Sequence, residues 1–150
     1  MNNPPRIGIV GAGRTQQGLG PYLAAAFEEG GCRVTAVAGR DAQGGLRGAR
    51  QLAETLRHPV DAAVDVGALA HAVDALVIAS PVPSHAQALD AALAAGVPCL
   101  CEKPLVSARE AAAGRARVQT FAARGLLLDE NCQWPFVLPA LFELFPQLRN

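Results

Sequence analysis

By type and spacing, the residues best suited to chemistry are Glu102-Lys103-Pro104, a tripeptide that follows an apolar run and contains the single lysine among thirteen basic residues. Arginine, which makes up the rest, keeps its charge, whereas an ammonium stripped of water can release a proton and take it back. Lys103 is therefore the candidate catalytic residue. The competing reading is an arginine-biased chain in which one surface lysine survives by chance.

Three further constellations are compatible with a nucleotide. Gly11-Ala12-Gly13 stands between a short apolar strand and a helix, the context in which a glycine motif is informative. Gly11 allows a tight turn, Gly13 lets backbone amides approach a pyrophosphate at the helix N-terminus, and Arg14 and Thr15 offer side-chain phosphate partners. Gln16 occupies the place of the usual third glycine and the next glycine is Gly18, so a longer loop is expected. A turn of purely structural purpose is the alternative. Ala38-Gly39-Arg40-Asp41 ends the second strand, where a carboxylate would accept from ribose hydroxyls and repel a 2′-phosphate. Gly39 leaves room there and Arg40 can pair with phosphate, so NADP(H) is favoured, with NAD(H) possible; a one-residue shift in register would put Asp41 in that position and reverse the preference. Ser80-Pro81 and His85 fall beyond another strand, and His85 is assigned to the nicotinamide side of a pocket. His58 and His71 lack ligand spacing, and no metal is expected.

Alternating strand and helix signals must position these groups. Ile7 to Val10 reads as a first strand, and Leu19, Tyr22, Leu23, Ala26 and Phe27 recur at helical spacing up to Gly30-Gly31. Val34 to Ala38 is the second strand and Leu46, Ala49, Ala53 and Leu56 mark the next helix. The stretch from Val60 to Val73 predicts a short strand and a short helix. Ala75 to Ala79 is the clearest buried strand, and Pro81 and Pro83 turn the chain off the sheet after it. Ser84 with Gln87, and Ser107 with Glu110, read as capping boxes. Val97 to Cys101 is a fifth strand, and Leu126 to Leu128 a sixth after Gly125. The pattern predicts an α/β fold, a doubly wound parallel sheet of order 3-2-1-4-5-6.

Composition narrows the function. At 150 residues the chain is one domain by length, and thirteen acidic residues cancel thirteen basic ones with no basic-aromatic patch, which argues against nucleic-acid binding. The four cysteines form no CxxC pair, which suits reduced thiols and a cytoplasmic setting, and no apolar run is long enough for a membrane span. The tail is different. Trp134, Phe136, Phe142 and Phe145, with leucines between them, gather apolar surface near the end, and the expected division is a nucleotide domain over 1–134 and an apolar tail or interdomain helix over 135–150. The tail is read as a segment that packs on a second domain in longer relatives and here either folds back on the sheet or mediates self-association, with an ordinary terminal helix that completes the core as the alternative.

Taken together, the glycine turn, Ala79-Ser80-Pro81 with His85, and Cys101-Glu102-Lys103-Pro104 resemble the nucleotide-binding half of the Gfo/Idh/MocA oxidoreductases, over roughly Arg6 to Trp134. The resemblance implies a Rossmann-like domain, Glu102 and Lys103 beside the nicotinamide, Lys103 hydrogen-bonding the reacting oxygen, and a cis Lys103-Pro104 peptide. It implies hydride transfer between NADP and a sugar- or polyol-like carbon. The family continues into a second α/β domain that holds substrate, and here that half is expected from elsewhere. A catalytically silent NADP-binding or scaffolding module is the second reading. A methyltransferase is disfavoured because it would leave Glu102-Lys103-Pro104 without a role.

Overall fold

The computed structural model describes residues 3–13 and 18–149, so Arg14, Thr15 and Gln16 of the expected phosphate loop lie outside the described residues. Six strands, β1 (Arg6–Val10), β2 (Arg33–Ala38), β3 (Asp61–Ala62), β4 (Ala75–Ile78), β5 (Cys99–Glu102) and β6 (Leu128–Asn131), alternate with six helices. The helices are α1 (Leu19–Glu29), α2 (Ala42–Leu56), α3 (Val66–Ala72), α4 (His85–Ala95), α5 (Ala111–Ala123) and α6 (Trp134–Leu144). The strands form one sheet in the order β3-β2-β1-β4-β5-β6, and every pairing is parallel. This is the expected doubly wound sheet, whose winding reverses between β1 and β4.

Strand alternation divides the core. Leu76 and Ile78 of β4 face a layer containing Leu69, Leu89 and Phe121 from α3, α4 and α5. Val77, between them, points the other way into a layer with Leu23 of α1 and Leu52 of α2. A sheet covered on both faces accounts for strands that read as nearly continuous apolar runs. Phe121 is fully buried, a contribution of roughly 2–3 kcal/mol.

The glycine stops fall where expected: Gly31, Gly96 and Gly125 all adopt positive φ as α1, α4 and α5 give way to the following segments. Both expected capping boxes differ from the observed ends. A 3-10 turn, Val82–Ser84, runs directly into α4 and leaves Ser84 with φ −99° and ψ −6°, outside the extended conformation of an N-cap, with no capping hydrogen bond from its side chain. The Ser107 hydroxyl donates to Glu110 Oε2 at 2.6 Å, so the two side chains satisfy each other rather than the backbone. The sixth strand also starts later than the leucine run suggests. It extends through Asp129, Glu130 and Asn131 because, as the outermost strand, it needs only one buried side and pairs residue for residue with β5.

The tail departs most from a packed element. No residue of α6 is buried, and Phe136 is 84% exposed. Among the described residues no helix is long and apolar enough to cross a membrane.

Candidate functional site

All the singled-out segments end at the carboxyl edge of the sheet, around the β1–β4 reversal where open α/β sheets bind ligands. On one side the crevice is built from backbone. Gly11 has φ +94°, and a Cβ there would lie 2.6 Å from Ser80 Cα, so the turns after β1 and β4 touch only because this residue has no side chain. The Gly11 amide donates to the Ala38 carbonyl at 3.0 Å, tying the same turn to β2. Among the described residues, a Cβ on Gly13 would meet nothing nearer than the Gly44 carbonyl at 3.8 Å. Ala12 between them is buried. The close-packing glycine sought at position 16 is Gly20, on the first turn of α1, whose Cβ would sit 2.9 Å from Ala12 Cα. A bare backbone turn leading to a helix brought in tightly by a glycine is a cradle of the kind a pyrophosphate fits.

The end of β2 changes the meaning of Gly39. A Cβ there would fall 2.3 Å from the Gly45 nitrogen, so packing against the first turn of α2 requires glycine whatever the ligand. Asp41 is the N-cap of α2, its Oδ1 accepting from the Gly44 amide at 2.6 Å. Its carboxylate is thereby committed to the helix. The Arg40 side chain is 97% exposed and its Nε lies 4.0 Å from Asp41 Oδ2.

On the other side the crevice is built from side chains. A cleft of about 450 Å3 is lined by Glu102, Lys103, Asn131, Cys132 and the apolar Leu19 and Phe136. The Lys103–Pro104 peptide is cis, and Lys103 is exposed, so nothing in the described chain takes its ammonium out of water. Register places Asn131 of β6 opposite Glu102 of β5, and Asn131 Nδ2 donates to Glu102 Oε1. Glu130 Oε1 accepts from the Leu105 amide at 2.9 Å, holding the turn after Lys103. Burial, with the charges of Glu130 and Glu102, pushes the Cys101 thiol up to about 12, and burial raises Cys99 as well. Both are inert core groups at neutral pH.

His85 requires a correction. Expected to line the nicotinamide, it is fully buried beneath the crevice, with Nε2 2.7 Å from the Ser80 carbonyl oxygen and Nδ1 3.1 Å from that of Pro104. Both ring nitrogens are engaged by backbone, so no edge remains for a cofactor. Ser80 is half-buried and Pro81 exposed, and the Ser84 hydroxyl, which donates to the Pro81 carbonyl at 2.8 Å, reinforces this turn. The structure thus brings together Gly11, Gly13, Ser80, Pro81, Glu102 and Lys103 around one edge, and leaves Arg40 at the solvent-facing end of β2. Sequence reasoning missed Gly20, Glu130 and Asn131. Their only signal was position: a glycine in the first turn of a helix, and acidic and amide residues at the end of an outer strand.

Comparison with known proteins agrees with this geometry. The model of the oxidoreductase family with an NAD-binding Rossmann fold, Gfo/Idh/MocA, matches residues 5–131. Inositol 2-dehydrogenase 1 from Saccharopolyspora erythraea is 36% identical over 126 residues, covering 76% of this chain and 35% of that protein. A 3-ketoreductase from Actinomadura kijaniata, solved with TDP-benzene and NADP, superposes with a TM-score of 0.64 at 33% identity, over 86% of this chain and 37% of the other. An oxidoreductase from Agrobacterium radiobacter, solved with NAD+, L-tartaric acid and magnesium, has the same fold, with a TM-score of 0.69 at 21% identity over 87% of this chain and 36% of that one. The chain spans about a third of the length of the curated relatives it matches. With a glycine cradle at the winding reversal, Glu102-Lys103-Pro104 on the opposite wall and a family match over most of its length, the chain belongs to the Gfo/Idh/MocA oxidoreductase family.

Proposed function

We propose that the chain binds NADP(H) across the carboxyl edge of its sheet and serves hydride transfer at a sugar- or polyol-like hydroxyl carbon. The pyrophosphate rests on the backbone of the Gly11–Gly13 turn, and the nicotinamide end faces the cleft of Glu102 and Lys103. The coenzyme, when bound, supplies the hydride acceptor or donor. The chain's own work is to orient and to move a proton: Lys103, which lines the cleft, hydrogen-bonds the reacting oxygen, while Asn131 fixes the Glu102 carboxylate beside it. The observation that supports this reading is that a glycine turn after β1 and the sole lysine after β5 stand at the same carboxyl edge of the sheet.

The phosphate preference follows from the end of β2. Gly39 carries no acid, Asp41 Oδ1 caps α2, and the exposed guanidinium of Arg40, with Nε 4.0 Å from Asp41 Oδ2, is the group offered to a 2′-phosphate. Titration of the chain with NADPH and NADH, followed by nicotinamide fluorescence, tests this: NADPH binds at least tenfold tighter, and Arg40→Ala removes that margin, a charge-assisted contact of about 1.5 kcal/mol. Equal affinities would move the assignment to NAD(H). A silent coenzyme-binding module is the second reading, favoured by the exposure of Lys103. Turnover of NADP with a panel of polyols, abolished by Lys103→Ala, distinguishes an enzyme from such a module.

A further inference from the structure

The segment that carries Lys103 is held on three sides, and two of the groups that hold it, His85 and Glu130, have no task in the proposed chemistry. Before it, Glu102 is tied to Asn131. After it, the Leu105 amide donates to Glu130 at 2.9 Å, and the Pro104 carbonyl faces His85 Nδ1 at 3.1 Å. His85 is the unusual member, because it is the buried polar residue of the core among the described residues and its second nitrogen lies 2.7 Å from the Ser80 carbonyl oxygen, in the turn after β4. Ser80 in turn is the residue that Gly11 approaches closely. One ring therefore joins the turn after β4, which abuts the glycine cradle, to the turn after β5, which carries the lysine.

We propose that His85 is a positioning residue: a buried clamp that, through Nδ1, holds the Pro104 carbonyl and with it the Lys103 turn against the start of α4, assisted from the opposite side by Glu130. The role rests on the reading of Lys103 as the amine beside the reacting carbon. A carbonyl oxygen only accepts, a neutral imidazole has one N–H and an imidazolium two, so the ring donates to one or both carbonyls. The His85 ring is fully buried, so an N–H left without its carbonyl is costly, which makes such a clamp stiff. Since both contacts are to backbone, the clamp acts on main-chain position, and Lys103 responds through its own Cα.

The chemistry of the side chains supplies a discriminating pair of variants. The amide nitrogen of asparagine matches Nδ1 and can keep the bond to Pro104, whereas that of glutamine matches Nε2 and keeps the bond to Ser80 alone. Because the chain has one lysine, reductive 13C-methylation places a single lysine probe in the crevice. At fixed pH, His85→Asn is expected to retain the native position and linewidth of the Lys103 signal. His85→Gln is expected to shift and broaden it and to weaken NADPH binding about tenfold, the scale of one lost hydrogen bond. Equal Lys103 signals from the two variants, whether both native or both shifted, would overturn the clamp. If neither variant folds, as read by circular dichroism, the solvent-facing arm decides: Glu130→Gln keeps an oxygen for Leu105 and a native signal, Glu130→Ala shifts it, and no difference between them overturns the proposal. Failure of the parent chain to bind NADPH would sink the coenzyme assignment, while the lysine signals would still decide the clamp.

Discussion

The two walls of the crevice are made differently. On the β1–β2 side the shape comes from missing side chains: Gly11, Gly20 and Gly39 each stand where a Cβ would lie within 3 Å of neighbouring backbone. On the β4–β6 side it comes from side chains that reach across strands, His85 to Pro104, Glu130 to Leu105 and Asn131 to Glu102. A wall of close backbone contacts fails all at once when one atom is added. A wall of cross-strand hydrogen bonds should fail by degrees.

The most damaging test of this contrast is Gly11→Ala, which meets both a positive φ and the Ser80 backbone. It should cost about 3 kcal/mol in urea unfolding and abolish NADPH binding, with Gly39→Ala close behind. A loss below about 1 kcal/mol would mean that the turn yields easily and that the backbone wall is soft. On the opposite wall, Asn131→Ala removes one partner of Glu102 and should cost about 1 kcal/mol of stability while weakening coenzyme binding several-fold. Should it prove as severe as Gly11→Ala, the two walls would not differ in kind.

Legibility in the sequence follows the same division. The glycine wall could be read early because glycines next to an apolar strand report backbone contact directly, and the alternating strand and helix signals fixed the sheet order. Gly39 has a second reason that the sequence did not reveal, its packing against the first turn of α2, a contact that joins residues whose packing no local pattern encodes. His85 was placed on the wrong side of the crevice wall for a similar reason. A histidine near a strand end looks available for a ligand, and only the fold shows two carbonyls closing on its ring. Asn131 stayed hidden because its partner is set by β5–β6 register, and the leucine run at 126–128 drew the strand too far toward its N-terminal end.

Two smaller effects sharpen the picture. Iodoacetamide at pH 8 should label Cys32 and Cys132, which are half-buried, and spare Cys99 and Cys101, whose burial keeps the thiols protonated far above that pH. Mass spectrometry of the native and urea-unfolded chain counts them; fast labelling of Cys101 would show that the β4–β6 wall opens. The smallest effect is at the far rim of the sheet, where the Arg6 guanidinium and amide hydrogen-bond Asp74 and lower its carboxyl to about 2. A carboxyl depressed on folding contributes stability above its unfolded value, near 3.9, and loses it as pH falls through the folded one. The urea midpoint of Asp74→Asn should therefore sit slightly below that of the parent at pH 7 and converge with it as pH approaches 2. Because the pair is exposed, added salt should narrow the gap.

The outermost strands of the sheet carry their own lesson about association. β3 is only two residues long and starts with the exposed Asp61, while β6 exposes Asp129 and Glu130 in succession. A short rim and a negatively charged rim are both poor templates for the strand of a second molecule. Concentrated solutions of the chain should thus resist fibril growth along the sheet, and any clustering should start from the greasy helix Trp134–Leu144 instead.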